Sequence, residues 1–254
     1  MIKNIFFKKK LHIFYRHVHL ESKNNKRRPK WFSHKSCFMN LISTISHKNL
    51  PILVDLTVMF DGNDESYNED FISEFMASSK TKFPHLKISV VKFAGGSDFA
   101  SFYYTLDYIV NHQYGSSDWI YLLENDYLHV DNWVDKFSAL INSNNDFDYV
   151  SLYDHNDKYF ADMYNSLSSK IYFLGEHHWR STPSTCASFL FKSNTLTEDI
   201  NLIKSSGGDH HFFTALHRDK NRTLITPIPG LSTHCMAKYL SPGINWELIN
   251  KSAI

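Results

Sequence analysis

The sequence predicts an α/β protein whose central sheet is mostly parallel and carries helices on both faces. Strand-like and helix-like patterns alternate from about residue 11 to residue 150. The apolar run at residues 119–123 is nearly continuous, as in a strand covered on both faces. Turns containing Asp and Gly close several of these strands. Repeated β-α units of this kind predict parallel strands joined by right-handed crossovers.

Each element of the first half has a local signal. Phe99, Phe102 and Leu106 recur at helical spacing, whereas residues 87–93 alternate as in a strand. The predicted strands are residues 11–15, 52–60, 87–93 and 119–123, and the predicted helices are residues 36–46, 69–79 and 98–111.

The second half is less regular and carries more polar side chains. We predict a helix after Asp209, which lies near its N-cap. Polar residues follow two of the predicted strands, at 154–157 and at 176–180. The predicted strands are residues 149–153, 170–174, 187–191 and 223–228.

Length and composition predict a globular, cytoplasmic protein. The chain has 254 residues, 43% of them hydrophobic, so it can bury a sizeable core. No apolar run approaches the roughly 20 residues that span a bilayer, and three lysines at 8–10 interrupt the N-terminal apolar segment. The three cysteines are widely spaced and form no CxxC, so we expect buried thiols and neither a disulfide framework nor a cysteine zinc site.

The N-terminal segment is strongly basic. Residues 1–36 contain eleven Lys or Arg and one acid, Glu21, which leaves sixteen basic and twenty-five acidic residues for the rest of the chain. The cluster at residues 26–30 could neutralise phosphates on a nucleotide, on an anionic membrane surface or on a nucleic acid, or it could be a solvated loop. The acidic remainder and the lack of a recognised nucleic-acid module predict no nucleic-acid partner.

The strand at residues 119–123 runs directly into Glu124, Asn125 and Asp126. Ligands of open α/β sheets bind beyond the carboxyl ends of the strands, where carboxylates can hold a divalent cation against a phosphate. The alternative is an acidic turn without a ligand.

The order of these motifs resembles that of the GT-A glycosyltransferases, family 2-like. Asp61 follows the second strand, the Glu124-Asn125-Asp126 turn follows the fourth, Asp209 precedes a later helix and His234 comes last. The resemblance covers residues 11–247, although Glu124 stands where the family has the first Asp of its Asp-x-Asp motif. It implies a single GT-A-like domain over residues 1–254, with a Rossmann-like nucleotide-donor half at about 11–150 and an acceptor and catalytic half at about 151–247.

The resemblance also implies a metal centre and a donor. Asp126 and His234 would bind Mn²⁺ or Mg²⁺, and Glu124 would act through water or the donor ribose. Imidazole is a better ligand for Mn²⁺ than for Mg²⁺, so His234 favours manganese. The metal would stabilise the charge on the leaving diphosphate. The donor would be a nucleotide sugar, with UDP expected first and GDP or dTDP as alternatives.

Four further residues belong to the implied donor side. Asp61 resembles the acid that contacts the base or ribose, although an Asp-Gly turn can also be purely structural. Gly96 opens a helix and could let backbone N–H groups approach the donor. Arg16 could touch a phosphate, and Asn125 lies between the two carboxylates.

Asp209 resembles the general base of an inverting transferase. Such a base takes the proton of the acceptor hydroxyl as that hydroxyl attacks the anomeric carbon. The alternative is a helix N-cap that satisfies only backbone donors. His210 and His211 are alternative bases.

Residues after two strands of the second half are candidates for the acceptor side. Trp179 could stack on a sugar face, and Arg180 could hold a phosphate or an acidic sugar. Asp154 and His155 could face the same cleft. Each of these side chains could instead be structural.

The sequence therefore predicts transfer of a sugar to a glycan or a lipid-linked acceptor, with peripheral membrane contact through the basic N-terminus as an extension. Two other classes stay open. One is a metal-dependent phosphoesterase with two ions held by Asp and His side chains. The other is a non-catalytic protein that binds a nucleotide sugar or glycan.

Overall fold

The first half of the chain alternates strands and helices in the computed structural model, which describes residues 9–19, 27–143 and 145–252. The elements are β1 (Lys10–Val18), α1 (His34–Ile45), β2 (Leu53–Asp61), α2 (Asp64–Glu69), α3 (Phe71–Lys82), β3 (Lys87–Phe93), α4 (Asp98–Asn111), β4 (Trp119–Glu124), β5 (Tyr127–His129) and α5 (Trp133–Ile141).

The second half has shorter strands and ends in a short helix. Its elements are β6 (Tyr149–Val150), β7 (Ile171–Leu174), β8 (His177–Ser181), β9 (Phe189–Lys192), α6 (Ser193–Ser205), α7 (Asp209–Lys220), β10 (Leu224–Ile228), β11 (Ser232–His234) and α8 (Trp246–Ser252). Within the described ranges, every helix is too short or too polar to cross a bilayer.

Nine of the described strands form one sheet in the order β3-β2-β1-β4-β9-β6-β10-β8-β7. The first four are mutually parallel, and only β9 and β8 run against the direction of the other seven. The prediction of a mostly parallel central sheet is confirmed. Outside this sheet, β5 and β11 form an antiparallel ribbon.

Helices cover both faces of the sheet, as predicted. Side chains alternate across a strand, so Ile13 of β1 enters one apolar core while its neighbour Phe14 enters the other. The first core contains Phe38 of α1 and Phe137 of α5. The second contains Leu106 of α4, with residues of α6 and α7.

The parallel strands end at one edge of the sheet, and this edge brings distant residues together. Val18 pairs with Asp61 across β1 and β2, and Arg16 pairs with Glu124 across β1 and β4. Neighbouring strands lie about 4.8 Å apart, so Asp61 and Glu124 are separated by about 10 Å along this edge.

One predicted helix begins later than expected, and one prediction of local structure is wrong. The helix predicted at 69–79 is present as α3 but begins at Phe71, because the carboxylate of Asp70 caps it through the N–H of Ile72 and also contacts His17 and His19. Residues 176–180 were expected to be a polar segment that follows a strand, but residues 177–181 themselves form β8 between β7 and β10. Pairing with strands that are distant in sequence decides this second case.

Candidate functional site

A cavity of about 870 Å³ lies at the carboxyl edge of β1, β2 and β4. It gathers every residue that the sequence assigned to the donor and to the metal, and it also contains residues that the sequence analysis did not assign to the site, among them Arg28, His34 and Asp98. The assigned residues are Arg16, Asp61, Gly96, Glu124, Asn125, Asp126 and His234.

Both carboxylate oxygens of Glu124 are engaged. Oε1 lies 3.0 Å from Nη2 of Arg16, and Oε2 accepts a hydrogen bond of 3.1 Å from the hydroxyl of Ser188. Burial raises the pKa of Glu124, and the Arg16 guanidinium opposes that rise. Arg16 is itself buried, and its guanidinium lies over the ring of Phe102. Glu124 is thus the half-buried member of an ion pair whose other member, Arg16, is buried.

Asp126 is bound by two cationic side chains at one oxygen. Oδ2 accepts hydrogen bonds from Nη2 of Arg28 at 2.6 Å and from Nε2 of His234 at 2.9 Å. Its other oxygen, Oδ1, is buried and has no hydrogen-bond partner among the described residues. Burial alone would raise the pKa of Asp126, but His234 and Arg28 hold it well below its usual range.

The β5–β11 ribbon positions His234. His234 pairs with Tyr127 across the ribbon, and the two rings stack with centroids 5.1 Å apart. Nδ1 of His234 lies 4.0 Å from the sulfur of Cys186. Burial alone would lower the pKa of His234, but Asp126, followed by Cys186, raises it well above its ordinary value. The contacts with Asp126 and Cys186 therefore favour the protonated imidazole.

The pKa shift of His234 predicts how stability depends on pH. Because the pKa of His234 is higher in the folded protein than in the unfolded chain, protonation of His234 stabilises the fold. This stabilisation is complete below the pKa of the unfolded chain, about 6.5, and is lost as pH rises through the higher pKa of the folded protein. The free energy of unfolding of the wild type should therefore exceed that of His234→Gln most at pH 5–6, and the gap should narrow toward pH 9. Urea titrations at pH 5, 7 and 9 check this, and a gap that widens with pH would contradict it.

Asn125 fixes the shape of the turn between the two carboxylates. Its carbonyl oxygen accepts from the hydroxyl of Tyr15 at 3.2 Å and lies 3.1 Å from Nδ1 of His34. Its side-chain amide contacts Nδ1 of His17 at 3.1 Å. These contacts hold Glu124 and Asp126 in place at the end of β4.

Asp61 ties the end of β2 to the loop before α4. Its Oδ1 accepts hydrogen bonds from the N–H groups of Gly95 at 2.7 Å and of Gly96 at 3.5 Å. A Cβ at Gly95 would lie 2.5 Å from Oδ2 of Asp61, and Gly96 has φ of +76°. This close approach and this backbone conformation explain the glycine pair. The two N–H groups thus point at Asp61.

The side chains of the cleft do not form the ligand set of a divalent metal. Mg²⁺ and Mn²⁺ need carboxylate oxygens that are open to the ion. Here three of the four carboxylate oxygens of Glu124 and Asp126 already contact Arg16, Ser188, Arg28 or His234, and the fourth is buried. Within the described part of the chain, no three His, Cys, Asp or Glu side chains are grouped so as to hold a metal ion.

Asp209 is the first residue of α7, and the N-cap is Gly208. Its Oδ1 accepts from the N–H of His210 at 2.7 Å, and Asp209 is not among the residues that line the cavity. The start of α7 contacts the segment at residues 184–188, because Nδ1 of His210 lies 3.2 Å from the hydroxyl of Ser184. The same segment, residues 184–188, contacts both His234 and Glu124.

The structure does not bring the acceptor-side candidates into the cleft. Trp179 is fully buried and donates from Nε1 to the carbonyl of Leu174 at 3.3 Å. Nη2 of Arg180 lies 2.8 Å from Oδ1 of Asp154, and both side chains are buried. Since they lie in or against a strand inside the sheet, they are not available to an acceptor in this arrangement.

His155 lies in a separate recess of about 510 Å³, together with Asp157, Phe160 and Tyr239. Nδ1 of His155 is 2.7 Å from Oδ1 of Asp157. Burial alone would lower the pKa of His155, but Asp157 and Cys186 raise it. The imidazole is thus held by its neighbours within this recess.

Arg28 is one of the cleft residues that the sequence analysis did not single out. The basic cluster at 26–30 was recognised as a phosphate-binding candidate, but charge alone did not separate Arg28 from its neighbours. Much of the basic segment, including Lys26, lies outside the described residues. Arg27 and Arg28 both line the cleft, whereas Lys30 is exposed and does not.

Comparison with known proteins gives structural neighbours and no sequence relatives. No protein-family model matches the sequence, and no curated protein sequence matches it. The mannosyltransferase PcManGT from Pyrobaculum calidifontis, solved in complex with GDP-Man and Mn²⁺, has a TM-score of 0.52 at 13% identity. That likeness covers 87% of this chain and 55% of the mannosyltransferase, so this chain spans about half the length of that protein.

Two further solved structures are similar at lower scores. The apo form of mouse xyloside xylosyltransferase 1 has a TM-score of 0.45 at 9% identity, covering 85% of this chain and 84% of that one. The inositol-1-phosphate CTP transferase from T. maritima has a TM-score of 0.47 at 12% identity, covering 97% and 96%. The sheet order and the likeness to the mannosyltransferase together show a Rossmann-like α/β fold.

Proposed function

We propose that the protein is a glycosyltransferase that binds a nucleotide sugar in the 870 Å³ cleft and moves the sugar to a glycan or lipid-linked acceptor. The observation that carries the proposal is the position of Asp61, Arg16 and the turn at 124–126 side by side at the carboxyl edge of parallel strands. Open α/β sheets bind their ligands at this edge. The structural neighbours, which include transferases of the glycosyl and nucleotidyl types, support a transferase.

The order of the strands suggests how the nucleotide sugar is oriented along the cleft. Asp61 lies on β2, Arg16 on β1 and Glu124 on β4, in that spatial order. We assign the nucleoside to the Asp61 end, where a carboxylate can accept from ribose or base. The diphosphate then lies toward Asp126 and His234, which places the transferred sugar next to residues 184–188.

Asp209 is the proposed general base of an inverting transfer. The acceptor oxygen forms a bond to the anomeric carbon while the bond from that carbon to the diphosphate breaks. The hydroxyl proton passes to the carboxylate of Asp209, and the electron pair leaves with the nucleoside diphosphate. The start of α7 beside residues 184–188 supports this role.

The phosphoesterase alternative requires two neighbouring metal ions. Its proposed ligands lie in different parts of the fold, because Asp154 pairs with Arg180 in the core while Asp209 is at the start of α7. Sugar transfer needs only one donor cleft and one base, so the geometry favours it.

A thermal-shift panel tests the proposed function. UDP, GDP, dTDP and their common sugar conjugates are added to the wild type, and a ligand that binds only the folded state must raise the melting temperature. At a concentration one hundred times its Kd, it should add about 2.7 kcal/mol, or about 5–10 °C. We expect one nucleobase to stand out.

Two variants locate the binding site within this panel. Asp61→Asn keeps an acceptor for Gly95 but removes the carboxylate charge at the cleft, so the shift should fall. Asp64→Asn is the matched control, because Asp64 is a nearby exposed acid paired with Lys92 and does not line the cavity. A cooperative melt with no shift for any nucleotide would contradict the proposal.

A further inference from the structure

We infer that Arg28, and not a divalent cation, compensates the negative charge of the donor diphosphate in this cleft. This inference rests on the proposed function, because it concerns the donor of the same site. It makes Arg28 a catalytic residue that touches the leaving group.

The first step of the argument concerns the carboxylates. In a metal-bound arrangement they would face the ion, yet here each is paired with a guanidinium group. Arg16 lies 3.0 Å from Glu124, and Arg28 lies 2.6 Å from Asp126. A divalent ion at Asp126 would sit within a few Å of the Arg28 charge and would have to expel it.

The second step concerns how firmly Arg28 is held. Besides Asp126, its Nη1 donates to the carbonyl of Cys235 at 3.1 Å. Its guanidinium carbon lies 4.7 Å from the centroid of the Phe32 ring. Three contacts from three parts of the chain thus fix the guanidinium before any ligand arrives. A donor that is already oriented costs little reorganisation when charge develops on the leaving group.

The third step concerns the chemistry that remains available. A guanidinium carries five N–H donors in a planar fork that matches phosphate oxygens. One N–H of Nη2 is used on Asp126 and one of Nη1 on Cys235, while Nε is buried, so the second N–H of each terminal nitrogen is what the guanidinium can offer to a phosphate. The side chain keeps 16% of its surface exposed and lines the cavity. When the bond to the anomeric carbon breaks, the diphosphate gains charge beside this fixed cation.

The nucleotide arm of the test measures Kd by calorimetry. UDP, GDP and dTDP are titrated into the wild type, Arg28→Ala and Arg28→Lys, once in EDTA and once in MnCl₂. We expect the wild-type Kd for the best nucleotide to agree within about twofold in the two buffers, and Arg28→Ala to weaken it at least tenfold in EDTA. Arg28→Lys should lie between them, because it keeps the charge and loses the fork. Arg218→Ala, on the exposed face of α7, should change neither value.

The metal arm needs no nucleotide. Electron paramagnetic resonance follows the binding of Mn²⁺ to the wild type and to Asp126→Asn. We expect no stoichiometric Mn²⁺ site in the wild type. One bound Mn²⁺ that Asp126→Asn abolishes, or nucleotide affinity that Mn²⁺ strengthens tenfold in the wild type, would overturn the inference. If no nucleotide binds in either buffer, the proposed function fails and the role of Arg28 fails with it, whatever the metal arm shows.

Discussion

Replacing Asp209 with Asn is expected to lower the rate of sugar transfer by about 10²- to 10⁴-fold, which is the usual contribution of a general base. The amide keeps the size of the side chain and its contact with the N–H of His210, but it cannot take up a proton. Nucleotide affinity should change little, because Asp209 does not line the donor cavity. Initial rates at saturating donor, together with calorimetric Kd values, measure both quantities.

Asp219→Asn is the matched control for this prediction. Asp219 lies in the same helix and is an exposed acid paired with Arg218, so its loss should leave the rate within a few-fold of the wild type. A rate for Asp209→Asn above half that of the wild type would remove Asp209 from the mechanism. If wild type and variant bind the nucleotide equally and neither transfers sugar, the non-catalytic reading is favoured.

Arg16→Met is expected to lower the free energy of unfolding by about 3 kcal/mol, the lower end of the range for a buried pair, because it leaves the half-buried Glu124 without its partner. For a chain of this size, that loss corresponds to a fall in melting temperature of about 6–12 °C. Chemical denaturation followed by circular dichroism measures the change directly. Arg16 also contacts Asp98 and Phe102 at the start of α4, so its loss would affect the packing beneath the cleft as well as the charge of Glu124.

Two further variants test whether the loss of stability comes from the unpaired charge of Glu124 in the cleft. Arg16→Met combined with Glu124→Gln should recover part of the loss, since no unpaired charge stays in the cleft. Arg218→Met breaks the exposed pair with Asp219 and should leave stability unchanged within error. Equal effects of Arg16→Met and Arg218→Met would mean that the Arg16–Glu124 pair does not hold the site together.

Much of the cleft could be predicted because its signals are local. The apolar run at 119–123 is a buried strand, and the polar residues that follow it must lie at the end of that strand. Asp61 follows its own strand in the same way. Once the strands are parallel, these ends share one edge, so the cleft follows from local patterns and one topological rule.

Arg28 could not be identified because its role depends on contacts between distant parts of the chain. It lies 98 residues before Asp126 and 207 before Cys235. In the sequence it is one of several neighbouring basic residues, most of which would be expected on a solvated surface. Only the fold shows that its side chain turns into the cleft.

The burial of Trp179 was missed for a different reason. Residues 177–181 lack a clear alternation of apolar and polar side chains, so periodicity indicated a polar segment. Pairing with β7 and β10 makes the segment a strand, and its polar Arg180 is accommodated through Asp154. Because Arg180 is polar, its burial in an ion pair cannot be recognised from the periodicity of hydrophobic residues.

The most direct test of the proposed donor site is a crystal structure of the protein with the nucleoside diphosphate that the thermal panel selects. We predict that the ribose or base contacts Asp61, and that phosphate oxygens lie within hydrogen-bond distance of Arg28 at the Asp126 end of the cleft. A nucleotide bound outside this cavity, or bound with its phosphates at the Asp61 end, would contradict the proposed donor site.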